Sequence, residues 1–193
     1  SEMCIRDRKK GYSYVIIAFD DLLISKKVDT KYVSSAINIF IQEKGECLRF
    51  DPIRTSRCAN HNRYYGRIYD KVPYRVTLGF TLWNVEVLKK ITIENESAWQ
   101  FEKNATERSF EYKDFFCTWK RPFDFINLVN KRKLDITEYR KLKKLIPNAE
   151  YDREQVFVIK ERLKGYILRA FLRFYPVKYQ YAFHKFFTKP IDI

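Results

Sequence analysis

Asp20 and Asp21 are adjacent carboxylates that follow the apolar run Tyr12 to Phe19, YSYVIIAF. Two acids at the end of a buried strand form a hard oxygen donor set. They suit Mg²⁺ or Mn²⁺, with a nucleotide diphosphate supplying the remaining oxygens. The competing reading is that one Asp caps a turn and the other is solvated. A second carboxylate, Glu102, falls in Trp99-Gln100-Phe101-Glu102. Large rings beside it would partly desolvate it, and such a group can act as general base toward a hydroxyl. The alternative makes Trp99 and Phe101 core residues and Glu102 an ordinary acid. Arg63 and Arg67 sit in a polar, aromatic stretch and could meet phosphates, or simply be solvated. His61 and His184 form no catalytic constellation with a Cys or Ser at any spacing the sequence identifies. Cys47, Cys58 and Cys117 are an odd set without CxxC spacing, which points to a reducing compartment and no structural zinc.

These residues need elements to hold them. The second half of Tyr12 to Phe19 is apolar at every position, predicting a doubly covered, parallel strand whose C-terminal end carries the acidic pair. Asp29 or Thr30 can cap a helix with Val33, Ala36, Ile37 and Phe40 at helical spacing, stopped at Gly45. Cys47 to Phe50 reads as a strand, completing a βαβ-like unit. Residues 54–71 read as a long functional loop, and Tyr74 to Trp83 as a strand. Asn84 can cap a helix bearing Val85, Leu88 and Ile91. Leu134 to Leu145 is helical, and Pro176 should end one helix before another begins.

The chain has 193 residues with 38 Lys+Arg against 24 Asp+Glu, and aromatic residues make up 17% of it. So much apolar and aromatic surface excludes a disordered polymer and requires a packed core. No run approaches the roughly 18 to 20 apolar residues of a spanning helix. The charge is polarised, because residues 120–193 hold 18 Lys+Arg against 8 Asp+Glu. Between Lys160 and Phe174 the residues Leu163, Tyr166, Ile167, Ala170, Phe171 and Phe174 recur at helical spacing among Lys and Arg. That pattern fits an interfacial anchor on anionic lipid, a nucleic-acid grip, or a helix packed on the domain with a solvated face.

Hydrophobic strand into Asp20-Asp21-Leu22-Leu23-Ile24-Ser25-Lys26-Lys27-Val28-Asp29, strand into Leu82-Trp83-Asn84, then Ser97-Ala98-Trp99-Gln100-Phe101-Glu102: this order resembles bacterial capsular or surface-polysaccharide glycosyltransferases of the GT-A type over roughly residues 11 to 160. The resemblance implies a partial GT-A mixed α/β sheet flanked by helices over 9–155, followed by basic C-terminal helices over 156–193. It implies a nucleotide-sugar donor, a glycan or lipid-linked acceptor, and a cytoplasmic enzyme peripheral to the inner membrane face. Asp20 or Asp21 would hold the Mg²⁺ or Mn²⁺. Glu102 would deprotonate the acceptor for an inverting displacement, and Trp83, Trp99 and Phe101 would contact sugar. A basic nucleic-acid-binding or non-catalytic interaction domain is the alternative, but it leaves the acidic pair and the Glu102 segment unexplained and lacks any known RNA-binding motif. The family usually spaces its acids as DxD and places nucleotide-binding strands ahead of them, whereas residues 9–19 alone precede Asp20 here. Met3 to Arg8 looks like one frame of a sequencing-library adapter, so 1–8 are set aside, an upstream portion is expected, and this stretch alone is not expected to turn over donor.

Overall fold

The computed structural model describes residues 11–19, 22–53, 58–130, 133–152 and 154–187. Its centre is a mixed six-stranded sheet in the order β1 (Tyr14–Ile17), β6 (Thr81–Asn84), β3 (Cys47–Arg49), β7 (Phe115–Thr118), β5 (Tyr65–Ile68) and β4 (Cys58–Asn60). Within this sheet, among the described residues, only the β3–β7 pairing is parallel. The protein is therefore α/β.

Side-chain alternation along the central strands divides the core between the two faces of the sheet. Cys47 pairs in register with Trp83 and Phe115, while Leu48 pairs with Leu82 and Phe116. The first trio faces α2 (Val85–Ile91) and α3 (Ala98–Arg108) with Leu88, Ile91, Phe101 and Ala105. The second faces α1 (Thr30–Gln42) with Ala36 and Phe40. Asp29 caps α1 by accepting from the Tyr32 amide, and the chain leaves through Lys44 at φ 55°. Gly45 serves a different need: a Cβ there would come within 2.1 Å of the Phe40 ring.

A satellite cluster, Ile126, Leu128, Leu134 and Leu142, lies outside the main sheet. It draws on β8 (Phe125–Asn127), which pairs with β2 (Leu22–Ile24), on β10 (Lys133–Asp135) between β9 (Val129–Asn130) and β11 (Gln155–Val156), and on α4 (Ile136–Leu145). The chain then forms a hairpin of α5 (Ile159–Phe174) and α6 (Val177–Phe187), broken at Pro176 as its missing amide requires.

Several expectations need correction. β1 is an antiparallel strand at the edge of the sheet among the described residues, not a buried parallel one, and its Ile16 side chain is half exposed. β1 and β3 both run antiparallel to β6, so the βαβ-like unit has a third strand between its two. Within 54–71 the described residues form the β4–β5 hairpin, turned by the Asn62 side chain, which accepts from the amides of Tyr64 and Tyr65. The run Tyr74 to Trp83 becomes a strand only from Thr81, because Tyr74 and Phe80 take positive φ, 53° and 46°, and break the extended backbone. Cys58 and Cys117, without motif spacing, nonetheless meet with their sulfurs 2.8 Å apart.

Candidate functional site

Ser97 starts α3 with a capping box: its Oγ accepts from the Gln100 amide, and Gln100 Oε1 accepts from the Ser97 amide at 2.8 Å. This fixed start sets the rotation of the helix. Trp99 is turned outward at 56% exposure, while Phe101, two residues on, enters the core. Glu102 then faces the segment ahead of β6. Its Oε1 accepts from Thr77 Oγ1 at 2.7 Å and from the Leu78 amide at 2.8 Å, so one carboxylate oxygen is held in place by two donors. Thr106 Oγ1 adds a clamp by donating to the Glu102 carbonyl at 2.7 Å.

The segment that holds Glu102 is itself held by a buried cation. Arg75 is fully buried, and its guanidinium donates to the Ser109 carbonyl, to Ser109 Oγ at 3.0 Å, to the Tyr112 carbonyl at 2.7 Å and to Asp70 at 3.2 Å. Its Cζ lies 4.3 Å from the Phe115 ring centroid. Burial lowers its pKa, an effect opposed by the charge of Asp70. Arg49 donates to the carbonyl of Tyr74, whose own backbone is left-handed. These bonds fix a strained stretch, Lys71 to Phe80, against α3.

Between that stretch, α3 and α6 lies a cavity of about 410 Å³. Pro73 and Tyr74 form one wall, Trp99, Glu102, Lys103 and Glu107 a second, and Tyr181, His184 and Lys185 the third. Glu107 Oε1 joins α6 to α3, accepting from Tyr181 Oη at 2.6 Å and Lys185 Nζ at 2.8 Å. The Lys185 and Tyr181 hydrogen bonds hold the Glu107 carboxyl below its usual range. Tyr181 packs edge-on against Phe110, and Tyr74 against His184, each with centroids 5.0 Å apart. Burial, then the charge of Lys103, lowers the His184 pKa. Burial, then the charge of Glu102, raises that of Tyr74.

Of the residues expected to act, Trp99 and Glu102 share this cavity. Trp83 and Phe101 do not: Trp83 is fully buried against Phe115 and Phe101 is 5% exposed, so neither can stack on a ligand. Phe101 enters the core, whereas Glu102 lines the cavity together with the rings of Trp99, Tyr74 and Tyr181. Arg63 and Arg67 are exposed on the β4–β5 hairpin, bonded to Tyr64 Oη and Asp114, and do not line the cavity. Asp20 and Asp21 lie outside the described residues. Their described neighbours approach the Glu102 support: Ile17 pairs with Thr81, and a Cβ on Gly79 would lie 3.3 Å from Leu22 Cδ1. Among the described residues no group of three or more His, Cys, Asp or Glu could hold a metal ion.

Tyr74, Glu107, Tyr181 and His184 were not foreseen as site residues. Tyr181, His184 and Lys185 recur at helical spacing on one face of α6, the available signal, but the partner of that face was not evident. No helix among the described residues is long and apolar enough to cross a membrane. No family model, curated protein or solved structure matches the chain.

Proposed function

We propose that this chain is part of a GT-A-type glycosyltransferase that moves a sugar from a nucleotide-sugar donor to a glycan or lipid-linked acceptor in surface-polysaccharide synthesis. The observation that carries the reading is the meeting, in one cavity, of an outward-turned tryptophan and a carboxylate fixed by two donors. Its volume lies within the roughly 300–1,000 Å³ of small-molecule sites. Trp99 offers the apolar ring face on which a sugar stacks, and Lys103, Nζ 5.8 Å from the Trp99 centroid, adds a donor for hydroxyls. Tyr74 and Tyr181 add two more amphipathic rings.

In this reading Glu102 takes the proton of the acceptor hydroxyl. The acceptor oxygen forms its bond to the anomeric carbon as the bond to the diphosphate oxygen breaks, inverting the centre. Thr77 and Leu78 keep the base oriented, which lowers the reorganisation needed in the transition state. Asp20 and Asp21 retain the Mg²⁺ or Mn²⁺ role on the sequence resemblance, as the donor set that would neutralise the diphosphate when a cation is bound.

Saturation-transfer NMR with a panel of surface-polysaccharide oligosaccharides tests the assignment. At least one should receive saturation from the chain, Trp99→Ala should weaken that binding by about tenfold or more, and Glu102→Gln should leave it nearly unchanged because an amide oxygen still meets both donors. Absence of binding across the panel, or binding indifferent to Trp99, overturns the proposal.

A further inference from the structure

The side of α5 that faces away from the protein is apolar. Leu163, Tyr166, Ile167 and Phe174 are 59%, 63%, 62% and 85% exposed, and Ala170 lies among them on the same face. On the opposite side Leu172 is fully buried. The orientation is fixed by polar and ring contacts: Gln180 Nε2, on α6, donates to the carbonyls of Leu172 at 2.6 Å and Tyr175 at 3.1 Å. Phe171 stacks on Phe183 at 4.6 Å and on Tyr175 at 5.4 Å. The exposed strip thus belongs to a braced hairpin.

Cations border the strip. By helical angle Lys164 lies on one side of it and Arg169 and Arg173 on the other, with Arg169 Cζ 4.6 Å from the Tyr166 ring. Lys178 lies against the half-exposed Tyr179 ring at 4.8 Å on α6. No Asp or Glu occurs between Leu163 and Phe187. We propose that this face is a docking surface for an anionic lipid bilayer, with α5 lying in the interfacial plane, its apolar strip among the acyl carbons and its cations at the headgroup phosphates.

Charge chooses the occupant. A second copy of the same face would bring two sets of Lys164, Arg169 and Arg173 together with no carboxylate between them, which costs free energy on every approach. A nucleic acid would satisfy the cations but would leave Leu163 and Ile167, at the centre of the strip, against sugar and phosphate, where bases stack on rings and not on aliphatic chains. A bilayer interface meets both demands, since it takes apolar and tyrosyl side chains at the depth where Lys and Arg reach phosphate. The arrangement is one that lies on a membrane, and it stands whether or not the cavity binds sugar.

Vesicle flotation of the chain tests this, using phosphatidylcholine vesicles with and without phosphatidylglycerol. Binding should appear on the anionic vesicles, weaken with added salt, and fall about fivefold for each of Lys164, Arg169 and Arg173 changed to Gln. The double variant Ile167→Asn, Phe174→Asn, at exposed positions, should keep its circular dichroism and lose flotation. Failure to float with anionic vesicles overturns the proposal. So does flotation indifferent to the double variant, a dimer in light scattering that this variant dissolves, or single-stranded RNA binding in place of lipid binding.

Discussion

α1 and α5 carry the same kind of apolar stripe and use it in opposite ways. The stripe of α1 ends in Ala36 and Phe40, both fully buried under Leu48, Leu82 and Phe116 of the sheet. The stripe of α5 ends in Phe174, 85% exposed. The difference is one of available partners. α1 follows β2 and crosses one open face of the sheet. By the time the chain reaches α5, that face and the opposite one, under α2 and α3, are already covered, and α5 meets α6 along the side that carries Phe171 and Leu172. Periodicity specifies a face; the rest of the fold decides what the face meets.

Matched truncations on the two helices sharpen the contrast most. Phe40→Ala removes a ring that makes edge contacts with Tyr14, Tyr65 and Phe116, and should cost about 3–5 kcal/mol in urea unfolding. Phe174→Ala should change stability by no more than about 0.5 kcal/mol. Equal losses would mean that α5 packs its outer strip against something within this chain.

The next effect concerns the cation that fixes the cavity wall. Arg75→Met fills similar space but leaves the Ser109 and Tyr112 carbonyls without their donor, and should cost about 2–4 kcal/mol. Because the lost bonds hold Lys71 to Phe80, hydrogen exchange at Thr77 and Leu78 should rise ahead of the sheet. A uniform rise over the whole sheet would show instead that Arg75 acts only through global stability.

What could be read beforehand follows the same division. Helix starts were legible because they depend on neighbours in sequence: Asp29 and Asn84 cap as their side chains allow, and Pro176 breaks the hairpin where it lacks an amide. Trp99 and Glu102 were legible as an acid beside large rings, while their sharing of one helix face follows from the capping box at Ser97. Trp83 was not, because whether a strand residue faces solvent depends on which helix covers its face, and α2 and α3 cover that one. The β4–β5 hairpin was hidden for a related reason: it hangs on the Asn62 turn and on pairing with β7, fifty residues downstream, and neither is written in a hydrophobic period. The wall supplied by α6 was the least visible, being built from Glu107 on one helix and Tyr181 and Lys185 on another far along the chain.

That wall carries the smallest expected effect, one of pH. His184 faces Lys103, Glu102 and Glu107 of α3 and Tyr74 of the strained segment, with Tyr181 and Lys185 beside it on α6. Its folded-state pKa lies below the ordinary 6.5. Between the two values the unfolded chain binds more protons than the folded one, so stability rises with pH. The contribution is full above 6.5 and declines as pH falls through the folded value. Glu107 has its own lowered value, so its contribution is full above the ordinary 4.5 and is lost at lower pH. Two separate windows result. Acidification from neutrality should first raise hydrogen exchange in α6 while the sheet stays protected, and only well below pH 4.5 should the Glu107 link release the hairpin. His184→Gln should erase the first step and leave the second, whereas Glu107→Gln should erase the second and leave the first. A single step that neither variant moves would mean that α6 is held by the Val177 contact with the core and by ring packing alone, and that the cavity wall is as permanent as the sheet beneath it.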